Sequence, residues 1–165
     1  MSFHFPKEGR IFFKALIGAR ETGAARFLMF DAYYACLMIG LDARKLGQED
    51  EIEGEPFLPG YPDVFQSQSD IIAGLLIDAE LDRKAIDATD RSSVEDAMIK
   101  LLNPGSPTRL STAGDKLLDL YAGYGLRLLQ DKMLPPSNVD EFLVAYRVFW
   151  DGARSMLPKE GRQIG

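Results

Sequence analysis

Between Arg26 and Leu46 the sequence gives a helix almost no polar face. Phe27, Leu28, Met29, Phe30, Tyr33, Tyr34, Leu37, Met38, Ile39 and Leu41 spread around the whole turn, and Asp31 is the one charge between Phe27 and Leu41. A helix that is apolar all round is stable only when neighbours surround it. The segment therefore predicts the central rod of a bundle, and the rest of the chain must supply the helices around it.

The rest of the chain has the spacing to do so. Val139, Phe142, Leu143, Tyr146, Phe149, Trp150 and Ala153 recur at the helical period, as do Val94, Ala97, Met98, Leu101 and Leu102, and again Ile72, Leu75, Leu76 and Ala79. Pairs with capping-box spacing stand at the start of the stripes: Ser67 with Asp70, Ser92 with Glu95, Thr112 with Asp115, and Ser137 with Asp140. Basic residues near Lys45 and Lys84, and prolines at 104, 135 and 136, mark the ends. Helices are expected at about 10–21, 25–46, 69–84, 93–102, 112–133 and 138–155. No alternating run competes with them, so the expected fold is all-α: a single domain over 1–165, a compact bundle of five to six helices around the segment 26–46.

Composition bounds the class. With 165 residues, of which 46% are hydrophobic and 27% charged, the chain falls in the range of an ordinary soluble domain. A domain of this size buries enough surface to hold a core without disulfides or a structural metal. The single cysteine, Cys36, lies in the apolar run and reads as a small hydrophobe in a reducing compartment. Lys7, Arg10, Lys14 and Arg20 interrupt any leader-like stretch, and no apolar run reaches the length of a membrane span, so the expectation is a cytoplasmic protein with no membrane contact.

The segment Pro-Lys-Glu-Gly-Arg occurs twice, at 6–10 and 158–162. The flanking residues differ completely, which argues against a duplicated domain. Proline with a following glycine suits a turn, so each copy is read as a boundary of the helical body.

The net charge of −6 is unevenly spread: residues 46–82 carry ten Asp/Glu and no Lys/Arg. Within them a long loop is expected at about 47–66, first acidic (Glu49, Asp50, Glu51, Glu53) and then rich in proline and aromatics (Pro56, Phe57, Pro59, Tyr61, Pro62, Phe65). A calcium loop centred on Gly54 would need a carboxylate at position 60, which is glycine. The segment reads instead as a solvated acidic loop that Phe57, Tyr61 and Phe65 pin onto the helical body, and as the best candidate for a contact surface: the acids for a basic protein partner, the three aromatics for docking. The expected role is that of a non-enzymatic interaction or accessory subunit of a larger assembly, open to self-association and needing no cofactor.

Two alternatives come from other classes. Arg109 to Leu118 loosely resembles the entry into the final helix of winged-helix proteins, which would imply a nucleic-acid-associated accessory role. The preceding helix, however, presents Glu95 and Asp96 against Lys100, which disfavours direct contact with phosphates. Among the helical carboxylates Asp78, Glu80, Asp82, Asp115 and Asp119, the pair Asp115 and Asp119 shares a face at a spacing of four, the starting point for a magnesium-dependent enzyme. Asp115 is also assigned to the capping box. His4, the only histidine, is placed in a mobile tail, so neither a nucleophilic pair nor a zinc or di-iron site is proposed. Asp31 is expected to pair with Arg20, Arg26 or Arg127, and Gly123 with Gly125 to allow close helix approach or to break the fifth helix.

Overall fold

A computed structural model describes residues 2–17 and 26–155. It is mainly helical, with α1 (Gly9–Phe12), α2 (Met29–Ala43), α3 (Ser69–Arg83), α4 (Arg91–Leu101), α5 (Thr112–Lys132) and α6 (Val139–Ser155). None of these helices is long and apolar enough to cross a membrane. The second copy of the repeated pentapeptide and Arg20 lie outside the described residues. The first copy makes the turn between the first strand and α1.

The all-α expectation is corrected by a two-stranded antiparallel sheet of β1 (Phe3–Pro6) and β2 (Ile52–Leu58). β1 exists because Phe3 and Phe5 alternate with His4. Both phenylalanines are fully buried, and an extended backbone is what sends them to one side and His4 to the other. Two residues are too short an alternation to stand out from helical spacing in sequence. β2 falls in the expected loop. Residues 47–66 are in fact a 3-10 turn at Glu49–Glu51, the strand, and a 3-10 segment at Asp63–Gln68 that runs into α3. The acids stay on the outside of this path, while the aromatics turn inward.

α2 begins at Met29, later than expected, and packs chiefly against α5. A methyl built on Gly125 would fall on the carbonyl oxygen of Cys36, and one built on Gly40 on the carbonyl of Tyr121, so the two backbones touch at this crossing. Only glycine admits that approach. α5 is continuous through Gly123 and Gly125, so neither breaks the helix: Gly125 serves the crossing with α2, and Gly123 leaves room for Ile52 of β2. One edge of α2, with Tyr34 and Met38 half-buried, opens into a groove of about 760 Å³ that Leu75, Leu143, Tyr146 and Trp150 also line.

The late start of α2 also settles Asp31. Its Oδ2 accepts from the Leu28 backbone N–H at 2.6 Å, closing the first turn of the helix. Arg127, a suggested partner, instead pairs with Glu51.

Candidate functional site

The capping of α5 decides what is left over for chemistry. Ser111, one residue before the expected cap, accepts from Gly114 N–H at 3.1 Å, and the helix starts at Thr112. Its own hydroxyl donates to Lys100 O at 2.7 Å, tying α5 to the end of α4. The slip of one position puts Gly114 where the capping-box acid would stand. Asp115 is thereby released from the role the spacing assigned to it. The other starts slip too: Asp90 caps α4 by accepting from Ser93 N–H, and Asn138 caps α6 by accepting from Glu141 N–H at 2.8 Å.

Asp119 follows Asp115 by one turn and is 4% exposed. Its Oδ1 accepts from the Tyr33 hydroxyl at 2.7 Å and from the His4 backbone N–H at 3.0 Å, and its Oδ2 lies 3.1 Å from His4 Nδ1. The backbone bond is possible because the β1–β2 register slips on both sides of His4, taking its N–H out of regular pairing. His4 is thus a strand residue held on α5, and its placement in a mobile tail is corrected. Burial pushes the Asp119 carboxyl up to about 6 against the pull of Tyr33 and His4. Tyr33, fully buried, is pushed well above the usual phenol range by burial and then by the adjacent Asp119 charge.

Asp115 is held more loosely. It too is 4% exposed, and neither of its carboxylate oxygens makes a well-formed hydrogen bond among the described residues. Burial raises its carboxyl, and the Thr108 hydroxyl, the charge of the amino terminus, the Ser2 backbone N–H and His4 offset part of this. The Thr108 hydroxyl is already shared with Ser106 and Leu110, so its support is partial. The first-turn position of Asp115 on α5 gives its charge some support from the helix dipole. The Tyr61 hydroxyl is buried without a partner among the described residues.

Asp115 and Asp119 form the inner side of a pocket of about 350 Å³, together with Ser2 and His4 of the N-terminal segment. Glu49, Ile52, Glu53 and Gly54 make the opposite wall, and Lys116 joins them. Four carboxylates therefore stand with His4 and one lysine. Lys116 is itself engaged at the rim, with its Nζ 2.5 Å from Glu49 Oε1, and Arg10 holds Glu53 from outside by a two-pronged contact at 2.5 and 2.9 Å.

The residues singled out in the sequence are divided by the structure. Glu49 and Glu53 reach the pocket; Glu51 turns away to Arg127, and Asp50 lines a separate cleft. Burial pushes the Glu51 carboxyl up, but the Arg127 guanidinium outweighs it and holds the group below its usual value. Phe57, Tyr61 and Phe65 pack onto the helical body, as the pinning reading expects. Phe57 packs edge-on against Phe5 at 5.2 Å, Tyr61 against Phe3 at 5.0 Å, and Phe65 against Phe30 at 4.6 Å. Apolar rings beside a sheet that needs a core are drawn inward, and these pin the acidic strand onto the helices.

Of the remaining helical carboxylates, Asp78 and Asp82 hold Arg44 at 2.7 and 3.1 Å, while buried Glu80 takes Arg83 and the Tyr121 hydroxyl. Among the described residues no three His, Cys, Asp or Glu side chains gather closely enough to hold a metal ion. Tyr33 and His4 were missed in sequence as members of the site: one reads as an apolar-helix residue, the other as a tail. Compared with models of known protein families, with curated proteins and with solved structures, the chain matches none.

Proposed function

We propose that the protein is a non-enzymatic binding module that recognises a basic protein partner through the acidic pocket between β2 and α5. The observation that carries the reading is the excess of acid in the lining of this pocket, where among the described residues Glu49, Glu53, Asp115 and Asp119 stand with His4 and Lys116. The rim pairs Glu49–Lys116 and Glu53–Arg10 do not close the site to a partner. Lys116 and Glu49 are both mostly exposed, and an ion pair of that kind contributes only about 0–1 kcal/mol, so an incoming cation displaces it at small cost, while the more buried Glu53 keeps its two-pronged bond to Arg10.

The test is affinity capture on the immobilised chain, eluted across a salt gradient, beside the double variant Glu49→Gln, Glu53→Gln. A basic protein that is held by the native chain, released by moderate salt and absent from the variant supports the reading, because screening at a Debye length of about 8 Å acts on exposed charges first. Capture indifferent to both salt and substitution removes it.

A further inference from the structure

We infer that the groove between α2 and α6 is a binding site for a small hydrophobic amine, which lays its apolar body in the groove and its ammonium on the carboxylate of Asp31. The groove shares no lining residue with the acidic pocket between β2 and α5, so the inference stands apart from the reading just given. Its volume of about 760 Å³ falls within the range of small-molecule sites, which commonly lie between the helices of a bundle.

The lining suits an organic cation. Met38 and Leu75 offer aliphatic contact, and Tyr34, Tyr146 and Trp150 offer rings. Tyr146 donates its hydroxyl to the Ala35 carbonyl at 2.8 Å, which fixes the ring against α2. The Tyr146 and Trp150 rings stand 6.1 Å apart at 84°, so two aromatic planes meet at a corner. The negative faces of such rings attract an ammonium, and the attraction grows as water is excluded.

Charge decides the sign of the head group. Among the described residues four charged side chains line the groove. Arg44 is held by Asp78 and Asp82 at 2.7 and 3.1 Å and donates to the Leu41 carbonyl, which leaves it little to offer an anion. Arg26 and Asp42 are both exposed, make no ion pair among the described residues, and offset one another. Asp31 remains. It is half-buried; its Oδ2 accepts from Leu28 N–H, while its Oδ1 has no partner among the described residues and stays accessible. Burial raises this carboxyl, and the Leu28 N–H alone offsets it, so a carboxylate in apolar surroundings still lacks a cation. One accessible oxygen matches the compact charge of an ammonium better than the fork of a guanidinium.

The experiment follows the fluorescence of Trp150, the only tryptophan in the chain, while the full chain is titrated with phenylbutylamine, phenylbutanol and phenylbutanoate, three probes with one body and a positive, neutral or negative head. In Asp31→Asn the amide oxygen still accepts from Leu28 N–H, so the charge is lost and the helix start is kept. Amine binding at least tenfold tighter than that of the alcohol and of the carboxylate, with a tenfold or greater loss in Asp31→Asn, supports the inference. Alcohol or carboxylate binding as tight as the amine, a dissociation constant in Asp31→Asn within twofold of the native value, or no saturable change with any probe overturns it.

Should Asp31→Asn fail to fold, Leu143→Lys places a competing cation at an exposed position of the same lining. Amine binding weakened at least fivefold by this variant supports the site, and unchanged binding overturns it. Sedimentation of the free chain separates a ligand from a second copy. Trp150 emission that follows a monomer–dimer equilibrium and ignores the amine assigns the groove to a second copy and overturns the inference.

Discussion

His4 Nδ1 stands 3.1 Å from Asp119 Oδ2 across 115 positions of sequence, and the Tyr33 hydroxyl completes the same carboxylate from α2. Three elements that have no local reason to meet, β1, α2 and α5, are thereby joined at one buried group. Tyr33→Phe removes one neutral donor and leaves Asp119 with its bonds to His4, so the expected loss is about 1–2 kcal/mol. Asp119→Ala leaves both Tyr33 and His4 without an acceptor and is expected to lose about 3 kcal/mol or more. Urea unfolding of the two variants checks the order, and equal losses would refute the shared-carboxylate account.

The same group sets a pH dependence. Because burial raises the Asp119 carboxyl to about 6 in the folded chain, whereas an unfolded aspartate titrates near 3.9, the native state binds more protons between those values. The stabilisation is complete below about pH 4 and is lost as pH rises through 6, with a size of about 3 kcal/mol. Asp115 and Asp31, also raised by burial, act in the same direction. Glu51 and Glu80, held low by Arg127 and Arg83 despite burial, act oppositely, but only below the ordinary glutamate range. The stability of the native chain relative to Asp119→Asn is therefore expected to fall between pH 4.5 and 7; a difference independent of pH would contradict it.

Asp115 tests whether burial or its neighbours dominate at this carboxyl. Replacing a buried carboxylate that lacks a well-formed hydrogen bond by a neutral amide removes a desolvated charge, so Asp115→Asn is expected to raise the stability of the protein by about 1 kcal/mol, or about 2–4 °C in melting temperature. Thermal unfolding gives the sign directly. A lower melting temperature would mean that the neighbours outweigh burial.

Two glycines in helices separate packing from propensity. Gly125→Ala drives a methyl into the Cys36 carbonyl, where backbone must move, and is expected to cost about 3 kcal/mol. Gly74→Ala in α3 meets nothing within 4 Å and is expected to stabilise by about 0.5–1 kcal/mol through the unfolded chain. Opposite signs in chemical denaturation are the expected result.

The wall variant Glu49→Gln, Glu53→Gln is expected to cost about 1–2 kcal/mol, chiefly at Glu53, whose mostly buried carboxylate loses a two-pronged bond to Arg10, while exposed Glu49 contributes little. A larger loss in circular-dichroism melting would mean that these pairs hold the strand in place, and lost capture would then report unfolding and not recognition.

Local signals were legible where the interaction that makes them is local. Apolar stripes from Val139, from Val94 and from Ile72 lie on helices α6, α4 and α3, and the basic residues before Lys45 and Lys84 mark real ends, with Arg44 and Lys84 at the C-caps of α2 and α3, because helical period and end charge act within a few residues. Caps were legible only to within a residue or two, since Ser111 and Thr112, or Asn138 and Ser137, are chemically equal candidates and the fit against α4 or the preceding turn chooses between them. That single slip hid Asp115. By itself, then, the sequence determined the helical character and the position of the excess acid. Tertiary structure alone decided that Phe3 and Phe5 make a strand, and that His4 and Tyr33 share Asp119 but not Asp115. Those outcomes depend on which groups come within about 3 Å of one another after distant segments pack, and no periodicity along the chain encodes that distance.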